Sequence, residues 1–405
     1  MKFKKVTIIG LGYIGLPTAA IFARSGLQVT GVDVNQQIVE TINGGNIHIV
    51  EPLLHDIVRQ EVHRGTLKAS TKPVPADAFV IAVPTPVRKV GTELAPNLSF
   101  IIDAITGISA CLEPGNLVVL ESTSPVGTTE MIMNKIMGLR PDLVDDRGKL
   151  RIFVAYCPER VLPGNIIFEL ENNARIIGGI TDESALHAQA LYENFLKAPV
   201  KLTDAKTAEM VKLTENASRD SQLAFANQLS ILCDKLEVDV FKLIELANMH
   251  PRVNILQPGT GVGGHCIAVD PWFLVHNNHL ETKFMIEARH TNIEKETWVF
   301  DKCKKFINNH PGRRVICMGL AFKPNIDDLR ESPSLSIAKR LYKLFSDKLV
   351  CCEPNIPEEN IHGMRNIKTD QINEHDDILL LFVAHKEFSN FAKSNLFLDF
   401  CGLRQ

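Results

Sequence analysis

The sequence predicts an α/β protein in which two doubly wound parallel sheets are joined by a long helical connector. Short apolar runs alternate with helix-like segments in the first part of the chain, and strand signals then vanish from about residue 205 to residue 250. The strand rhythm returns after Pro311. Because alternating strands and helices are typical of parallel sheets with crossover helices, we expect three domains, at residues 1–203, 204–310 and 311–405.

Composition and charge exclude several classes of protein. The chain has 405 residues, 45% of them hydrophobic and 22% charged, and its net charge is -3. Acidic and basic residues are mixed, so no basic stripe predicts binding to nucleic acid or to a membrane surface. The apolar run at the start is short and broken by glycines, which argues against a targeting segment. No run reaches the ~18 apolar residues of a membrane span.

Nine cysteines occur without a CxxC spacing. Since an odd number cannot all pair within one chain, we predict a reducing, cytoplasmic location, and the cysteine spacing suggests no metal site. Cys351 and Cys352 lie in KLVCCEP, which has the pattern of a buried strand. We interpret them as small apolar residues of a core.

Six apolar runs predict the strands of the first domain: VTIIG, QVTGVD, AFVIAVP, LVVLEST, IFVAYCP and RIIGGI. The first run leads into GLGYIG and then into a helix-like segment, LPTAAIFARSG. In this context Gly10 allows a tight turn, Gly12 lets a pyrophosphate approach the backbone, and Gly15 lets the helix pack closely on the strand. The N–H groups at the helix start, around Tyr13 and Ile14, would face the phosphates.

An acidic residue ends the second predicted strand. Asp33 follows Gly15 by 18 residues, where a carboxylate can accept hydrogen bonds from both ribose hydroxyls and would repel a 2′-phosphate. The first domain is therefore predicted to be Rossmann-like and to bind NAD in preference to NADP. The alternative is a glycine turn with a surface aspartate.

Two later strand ends carry prolines and hydroxyl residues, in VPTP at 83–86 and ESTSPVGTTE at 121–130. Because a doubly wound sheet opens its cleft at the carboxyl ends of the strands, Thr85 and Thr129 are candidates to line the nicotinamide side. The alternative is that these clusters form ordinary turns or helix caps.

The connector carries an amine, an amide and a guanidinium at helical spacing. Lys212, Asn216 and Arg219 stand at i, i+4 and i+7, on one helical face. The alternative is a solvated face, on which Glu209 and Glu215 pair with the basic residues. The connector also has more apolar positions than one neighbouring domain needs, which predicts a homodimer; these positions include Leu223, Phe225, Leu229 and Leu232.

The segment GTGVGGHC at 259–266 places four glycines in the six positions before His265 and Cys266. Such glycines permit close approach of a bulky ligand and backbone conformations barred to other residues. A helix start directly after them would favour a reactive thiolate through its dipole. Asp270 lies within reach if the turn is helical, although Pro271 disfavours that conformation. The alternatives are a cysteine that packs and a histidine that only hydrogen-bonds.

The last domain is predicted from four apolar runs, RRVICMGLAF, KLVCCEP, DILLLFV and LFLDF. Together with the glycine fingerprint, the segments YCPERVLPG, KLTEN, GVGGHC and GLAFKPNIDDLRESP occur in that order. With this set the chain resembles the nucleotide-sugar 6-dehydrogenases, the family of the UDP-glucose and GDP-mannose dehydrogenases, over essentially its whole length.

The resemblance implies a four-electron oxidation for bacterial surface polysaccharide synthesis. Two NAD-dependent hydride transfers would convert the C6 alcohol of a UDP-sugar to an aldehyde and then to a carboxylate. The segments YCPERVLPGN, HPRVNILQPGTGVGGHCIAVDPWF and ESTSPVGTTE favour UDP-N-acetyl-D-mannosamine as the substrate. Its C2 epimer, UDP-N-acetylglucosamine, is the alternative.

The resemblance also implies roles for the polar residues. Cys266 would form a thiohemiacetal whose oxidation leaves a thioester. Lys212 would stabilise the developing oxyanion or exchange protons with the C6 oxygen, and Asn216 would orient that oxygen. Asp270 would hold Lys212 or a water. Glu159, in CPER, would be the base for thioester hydrolysis, and the residue that places its water would be Thr123.

Contacts with the substrate and the cofactor follow from the same resemblance. The residues implied around the sugar and diphosphate are Arg160, Val161, Lys212, Asn216, Arg219, His250, Arg252 and Gly263, with Arg252 a candidate to reach across a dimer. From the last domain, Phe322 and Lys323 would meet the nucleotide-sugar and Arg330 the cofactor.

The chain departs from the family pattern at two places. Where the family has a basic residue between an aspartate and a glycine near the end, this chain has Cys401, and Arg404 is the candidate to compensate. UDP-glucose members tend to carry a second glutamate where this chain has Pro163, so Glu159 is expected to act alone.

Two other classes stay open. A two-electron hydroxyacid dehydrogenase would account for GLGYIG and KLTEN but not for Cys266 or Glu159. A noncatalytic NAD-binding protein needs no convergent lysine, asparagine, cysteine and aspartate.

Overall fold

The computed structural model describes residues 3–90, 93–162, 164–264 and 266–403. The chain forms two compact units. One runs to Thr214 and includes Trp272–His276; the other comprises Glu215–Pro271 and the chain from Asn277 onward. The three-domain division stays a prediction.

The first unit is built around a sheet of eight strands. Its elements in chain order are β1 (Lys5–Ile9), α1 (Gly15–Arg24), β2 (Gln28–Val32), α2 (Gln36–Asn43), α3 (Leu54–Arg64), β3 (Leu67–Ser70), β4 (Ala78–Ile81), β5 (Val87–Val90), β6 (Glu93–Pro96), α4 (Ser99–Ile108), β7 (Leu117–Leu120), α5 (Thr128–Leu139), β8 (Phe153–Tyr156), α6 (Ile166–Asn172), β9 (Arg175–Gly179), α7 (Asp182–Tyr192) and β10 (Val200–Asp204). Helix α8 (Ala205–Lys235) follows, and the boundary between the units falls within it.

The strand order in this sheet is β10-β9-β8-β7-β4-β1-β2-β3. Neighbouring strands run parallel except β8 and β9, which pair antiparallel through Ala155 with Gly179 and Tyr156 with Gly178. The doubly wound α/β prediction is confirmed, with this one antiparallel pair as a difference. Antiparallel pairing at β8–β9 reverses the chain direction, so β9 and β10 run opposite to the rest of the sheet.

The central strands are buried on both faces, which explains their uninterrupted apolar runs. In β7, Leu117 and Val119 belong to one core cluster, whereas Val118 and Leu120 belong to the cluster on the other face. All four side chains have no exposed surface. The edge elements are less apolar, and the sequence analysis missed β3, β10 and the antiparallel hairpin of β5 and β6.

The second unit combines helices with a smaller sheet. Its elements after α8 are α9 (Val240–Ala247), α10 (Asp270–Val275, which continues into the first unit), α11 (Lys283–Asn309), β11 (Val315–Met318), α12 (Pro333–Phe345), β12 (Leu349–Cys352), β13 (Asn360–Ile361), β14 (Met364–Arg365), β15 (Ile378–Leu381) and β16 (Phe397–Asp399). The parallel order β12-β11-β15-β16 confirms the second Rossmann-like sheet. Cys351 and Cys352 are fully buried in it, as the apolar run predicts.

The two parallel sheets repeat one feature. Gly10 follows β1 with φ +92, and a Cβ there would lie 2.7 Å from the carbonyl oxygen of Ala82. Gly319 follows β11 with φ +80, and a Cβ there would lie 2.6 Å from the carbonyl oxygen of Val383. In both sheets the turn after the first strand packs against the end of a neighbouring strand, which only glycine permits.

The helical connector is confirmed by α8 and α9. In the second unit, α8 packs beside α11 through polar pairs: Asp220 with Arg289, Asn227 with Asn292, and Ser230 with Lys295. The residue numbers rise together along both helices, so the helices run parallel. None of the helices in the described ranges has the length and apolar character that a membrane crossing requires.

Candidate active site

The glycine loop after β1 has the shape that a dinucleotide requires. A Cβ at Gly15 would lie 1.8 Å from the carbonyl oxygen of Gly10, so this glycine is needed for helix α1 to pack on the loop. A Cβ at Gly12, in contrast, would meet no described atom within 4 Å. Tyr13, beside it, is 39% exposed. The bare backbone at Gly12 therefore faces open space, which fits the approach of a pyrophosphate.

Asp33 lies beside this loop at the carboxyl end of β2. Its Oδ2 accepts the Leu11 N–H at 3.1 Å and its Oδ1 accepts the Asn35 N–H at 2.9 Å. These bonds orient the carboxylate, and each oxygen keeps a second lone pair for a ligand hydroxyl. The described residues thus fit NAD, which Gly10, Gly12, Gly15 and Asp33 would hold.

The ends of β4 and β7 are tied together. The Thr85 hydroxyl donates to the Thr123 carbonyl oxygen at 2.6 Å, and the Ser122 hydroxyl donates to the Val83 carbonyl oxygen at 2.7 Å. The structure therefore brings the two predicted clusters of hydroxyl residues together at the carboxyl ends of two neighbouring central strands. Contact of Thr85 with the cofactor stays a prediction.

Thr129 is buried at the start of α5, where Glu209 of α8 binds it. Glu209 accepts the N–H of Gly127 at 2.6 Å, the N–H of Thr129 at 2.7 Å and the Thr129 hydroxyl at 2.6 Å. Burial raises the pKa of the Glu209 carboxyl, against the opposing effect of these hydrogen bonds. Glu209 therefore caps a helix instead of pairing with the basic residues of α8, and the cofactor contact of Thr129 stays a prediction.

The loop after β8 carries three predicted site residues, Glu159, Arg160 and Val161. Glu159 accepts the backbone N–H of Arg160 at 2.7 Å and a guanidinium N–H of Arg175 at 2.9 Å. Buried Glu51 holds the far end of the loop by accepting the N–H groups of Gly164 and Ile166. The loop that presents Glu159 is thus anchored at both ends.

Helix α8 places Lys212, Asn216 and Arg219 at the predicted spacing. Lys212 is 9% exposed and Asn216 is half-buried, whereas Arg219 is exposed. This part of the face is therefore not an ordinary solvated stripe. Lys212 belongs to the first unit and Asn216 to the second.

In the second unit, the Asn216 amide binds Asp270, which lies one helical turn after Cys266. The Asn216 amide donates to Asp270 Oδ2 at 2.5 Å, and the Asp270 N–H donates to the Cys266 carbonyl oxygen at 2.8 Å. Asp270 is 3% exposed. The turn from Cys266 to Asp270 is therefore helical. Helix α10 begins at Asp270 and not at the cysteine, which corrects the expected helix start; Pro271 fits because a first-turn residue needs no intrahelical N–H bond.

The glycines before Cys266 pack against the protein itself. A Cβ at Gly263 would lie 2.5 Å from the Glu331 carbonyl oxygen and 2.6 Å from Pro333, and a Cβ at Gly264 would lie 2.9 Å from the Phe322 ring. Gly264 also has φ +82. The expected backbone conformation is present, but at these positions the bulky neighbours are side chains and backbone of this chain. Contact of Gly263 with the substrate stays a prediction.

A buried carboxylate shapes the loop that carries Phe322 and Lys323. Glu353 follows β12, as Asp33 follows β2, and it accepts the N–H groups of Leu320 at 2.7 Å and Ala321 at 3.0 Å. His385 Nε2 lies 3.0 Å from the same carboxylate oxygen. Glu353 is therefore committed inside the protein, and the sequence analysis missed it.

The other predicted contacts lie on accessible parts of the second unit. Arg330 donates to both carboxylate oxygens of Asp328, and His250 and Arg252 are exposed. Cys401 is half-buried, and its Sγ lies 3.1 Å from the Phe382 carbonyl oxygen. His265 and Arg404 lie outside the described residues.

Sequence reasoning missed the charged residues that support the site. Glu121, Arg175 and Glu209 are 2%, 4% and 0% exposed. The available signal was a charged residue beside an apolar strand run, in LVVLE and in ARIIGG. Such a residue is either paired in the interior or solvated at the strand end, and the sequence does not distinguish the two.

Comparison with known proteins supports the resemblance. Three models of the UDP-glucose/GDP-mannose dehydrogenase family match the chain: the NAD binding domain at residues 4–196, the central domain at 206–294 and the UDP binding domain at 316–402.

Relatives match over nearly the whole chain. UDP-N-acetyl-D-mannosamine dehydrogenase of Campylobacter jejuni is 52% identical, over 99% of this chain and 100% of the relative. NDP-N-acetyl-D-galactosaminuronic acid dehydrogenase of Ralstonia nicotianae is 47% identical, over 98% and 94%. The solved structure of UDP-N-acetyl-mannosamine dehydrogenase from S. aureus has a TM-score of 0.86 and 36% identity, over 99% and 95%. The chain therefore belongs to the UDP-glucose/GDP-mannose dehydrogenase family.

Proposed function

We propose that this chain is an NAD-dependent dehydrogenase that oxidises C6 of UDP-N-acetyl-D-mannosamine to the carboxylate of UDP-N-acetyl-D-mannosaminuronate. The observation that carries the proposal is the bond from the Asn216 amide to buried Asp270, which lies one helical turn after Cys266 and donates its N–H to the backbone carbonyl oxygen of Cys266. A noncatalytic NAD-binding protein requires no such group of residues. A two-electron dehydrogenase requires no cysteine there.

Gly12 and Asp33 would hold NAD, which would supply the hydride acceptor for each of the two oxidations at C6. An aldehyde has no readily transferable hydride until a nucleophile adds to it, and the Cys266 sulfur supplies that nucleophile. The C–S bond gives a thiohemiacetal, whose oxidation leaves a thioester. Water then adds to the thioester carbon, the C–S bond breaks, and the thiol of Cys266 is regenerated.

The polar residues hold charge and protons during these steps. Lys212 stabilises the negative charge that develops on the C6 oxygen, and Asn216 donates a hydrogen bond to that oxygen. Asp270 orients the Asn216 amide, which the 2.5 Å bond between them supports. Glu159 accepts the proton of the water that hydrolyses the thioester, and Thr123 helps to place that water.

The remaining residues recognise the nucleotide and the sugar. Arg160, Arg219 and Arg252 supply positive charge for the diphosphate. Phe322 offers an apolar ring to the nucleotide, and Lys323 lies next to it on the loop that Glu353 anchors. Val161, His250 and Gly263 are the other residues around the sugar and diphosphate, and Arg330 contacts the cofactor.

A second sugar is a specific alternative. The relative from Ralstonia nicotianae is named for N-acetyl-D-galactosaminuronic acid, whose parent amino sugar differs from N-acetylmannosamine at C2 and C4. The gluco epimer is less favoured, because UDP-N-acetyl-D-mannosamine dehydrogenase is the name of the relative at 52% identity. These sugars share C6, so recognition at C2 and C4 decides among them.

The test is a panel of UDP-N-acetylmannosamine, UDP-N-acetylgalactosamine, UDP-N-acetylglucosamine and UDP-glucose with NAD, with NADH measured by absorbance. We expect two NADH for each UDP-N-acetylmannosamine consumed, and the highest kcat/KM for that sugar. One NADH per sugar would indicate a two-electron dehydrogenase, and none would indicate a noncatalytic protein. A higher kcat/KM for the galactosamine sugar would reassign the substrate.

We also propose that the chain forms a homodimer and acts in the cytoplasm. The dimer is supported by exposed apolar side chains on α8, where Phe225 is 55% exposed and Leu232 49%, and by Leu236 directly after the helix, which is 60% exposed. Half-buried Leu229 follows Phe225 by four residues and precedes Leu232 by three, so all three lie on one face of the helix. The nine cysteines, scattered along the chain without a CxxC spacing, support a reducing compartment.

A further inference from the structure

A buried guanidinium lies behind the Glu159 carboxylate. Arg175, the first residue of β9, is 4% exposed, and its Nη2 donates to Glu159 Oε2 at 2.9 Å. The other carboxylate oxygen, Oε1, accepts the Arg160 N–H at 2.7 Å. Both oxygens of Glu159 are therefore fixed by protein groups, and each has a lone pair left for another donor.

A second carboxylate lies on the far side of Arg175. Glu121, at the end of β7, has Oε1 4.0 Å from Arg175 Nη1. The same oxygen accepts the Tyr192 hydroxyl at 2.6 Å, and Oε2 accepts the Thr18 hydroxyl at 3.4 Å. One guanidinium thus lies near two carboxyl groups, that of buried Glu121 and that of half-buried Glu159, which is the proposed base.

The charges around Arg175 differ in how they respond to pH. Burial acts to lower the pKa of Arg175, but Glu159, Cys157 and Glu121 hold it well above its usual value. Burial raises the pKa of Glu121 to about 7, against the effect of Arg175. Burial also raises the pKa of Cys157 to about 11, so this thiol stays neutral near pH 7 although its sulfur is 3.5 Å from Arg175 Nη1.

We propose that Arg175 is a positioning residue for thioester hydrolysis, which orients the Glu159 carboxylate and places a positive charge beside it, and that Glu121 shares that charge. The proposal rests on the proposed function, in which Glu159 takes a proton from water as the water oxygen bonds to the thioester carbon and the Cys266 sulfur leaves. A base must be ionised to accept that proton. Loss of the nearest cation makes ionisation of a carboxyl group less favourable.

The test follows hydrolysis separately from oxidation in the full-length enzyme. Each variant is mixed with UDP-N-acetylmannosamine and excess NAD across a pH series, NADH is followed optically, and acid-quenched samples are analysed by intact-protein mass spectrometry. We expect Arg175→Met to release two NADH per site rapidly and then to accumulate an acyl group on Cys266. Its hydrolysis rate should fall by roughly tenfold or more at neutral pH, approaching that of Glu159→Gln, since loss of a general base typically costs on the order of 10² to 10⁴.

The rate of thioester hydrolysis is plotted against pH, and the acid limb is the part of this profile in which the rate falls as the pH is lowered. The pH at which this limb lies distinguishes a charge effect from a folding defect. In Arg175→Met the limb should move to higher pH, because the positive charge beside the carboxylate is lost. Arg175→Lys keeps the charge but loses the planar fork, so its limb should return toward the wild-type position while its rate stays reduced. Glu121→Gln removes a group that ionises near pH 7, so an inflection of the hydrolysis rate near that pH should disappear from the profile. Ile177→Ala, a buried apolar change on the same strand, should lower the melting temperature without moving the limb.

Several results would overturn the proposal. If the acid limb stays in place in Arg175→Met, or moves equally in Arg175→Lys, the role of Arg175 is only structural. If Arg175→Met does not fold, as judged by loss of NAD binding, an acid limb that lies at higher pH in Arg175→Lys than in the wild-type enzyme also counts against the proposal. If Glu121→Gln leaves the pH dependence of the hydrolysis rate unchanged, Glu121 has no part in the proposed effect. Wild-type enzyme that makes no NADH from any sugar would overturn the proposed function, and this proposal with it.

Discussion

At the scale of single residues, we expect Asp33 to determine the choice between NAD and NADP. Its carboxylate is oriented by the N–H groups of Leu11 and Asn35. With NAD it can accept two ribose hydroxyls, whereas with NADP it would face a dianionic phosphate. Two unit charges about 4 Å apart interact by about 4 kcal/mol at an effective dielectric constant of about 20, which corresponds to a discrimination of roughly a hundredfold or more.

We therefore expect kcat/KM to be roughly a hundredfold higher or more with NAD than with NADP. Asp33→Asn should narrow this ratio, because the amide oxygen still accepts a hydrogen bond but carries no charge. Steady-state kinetics with both cofactors measures the ratio, and Asp56→Asn, at an exposed carboxylate on α3, is the control. Comparable kcat/KM values for the two cofactors in the wild-type enzyme would refute the assignment.

At the scale of secondary structure elements, the parallel pair of α8 and α11 contains a buried lysine. Lys295 is 2% exposed, its Nζ donates to the Ser230 hydroxyl at 2.6 Å, and it lies 3.8 Å from the centre of the Trp298 ring. Burial lowers the pKa of Lys295 to about 7, and the charge of Lys302 acts in the same direction. The lysine is therefore present largely as the neutral amine above that pH.

This lowered pKa predicts how stability depends on pH. Between about 7 and the usual value of 10.5 the unfolded chain binds a proton that the folded chain does not. The contribution of Lys295 to the free energy of unfolding should thus rise with pH in this window, by at most about 1.4 kcal/mol per pH unit. Lys295→Met should remove the rise, whereas Lys305→Met, at an exposed position on the same helix, should keep it.

The measurement is urea unfolding at a series of pH values above 7, followed by the fluorescence of Trp298. A Trp272→Phe background leaves this tryptophan as the single reporter. Equal slopes of stability against pH in Lys295→Met and in its parent would show that the amine is charged in the folded state.

At the scale of the whole molecule, the exposed apolar positions of α8 predict self-association. Phe225 and Leu232 stand at i and i+7 on α8, Leu236 follows the end of the helix, and each is about half exposed. Burying such side chains contributes about 25 cal/mol per Å² of apolar surface to the free energy of association. A second copy of the same helix can bury them in a two-fold symmetric contact.

We expect a dimer in sedimentation velocity at micromolar concentration. The double variant Phe225→Glu with Leu232→Glu should sediment as a monomer, because two carboxylates would be buried in the contact. Leu344→Glu, at a 53% exposed leucine on α12, is the matched control and should remain dimeric. Monomeric wild-type protein at this concentration would contradict the dimer.

The sequence alone determined the features that depend on local spacing. Apolar runs of four or five residues identified the central strands of both sheets, and GLGYIG between a strand and a helix identified the dinucleotide loop. Helical spacing placed Lys212 and Asn216 on one face of α8. Edge strands such as β3 and β10 were missed, because their half-exposed residues lack an apolar run.

Only the tertiary structure decided which charged groups are buried and what they bind. Asn216 and Asp270 are 54 positions apart, and Gly127 and Glu209 are 82 apart. No local pattern predicts such pairs, because a polar residue on a helix or at a strand end has the same sequence signature whether it is solvated or enclosed. The enclosed ones are tolerated only where the fold supplies donors, as Arg175 does for Glu159 and the α5 start does for Glu209.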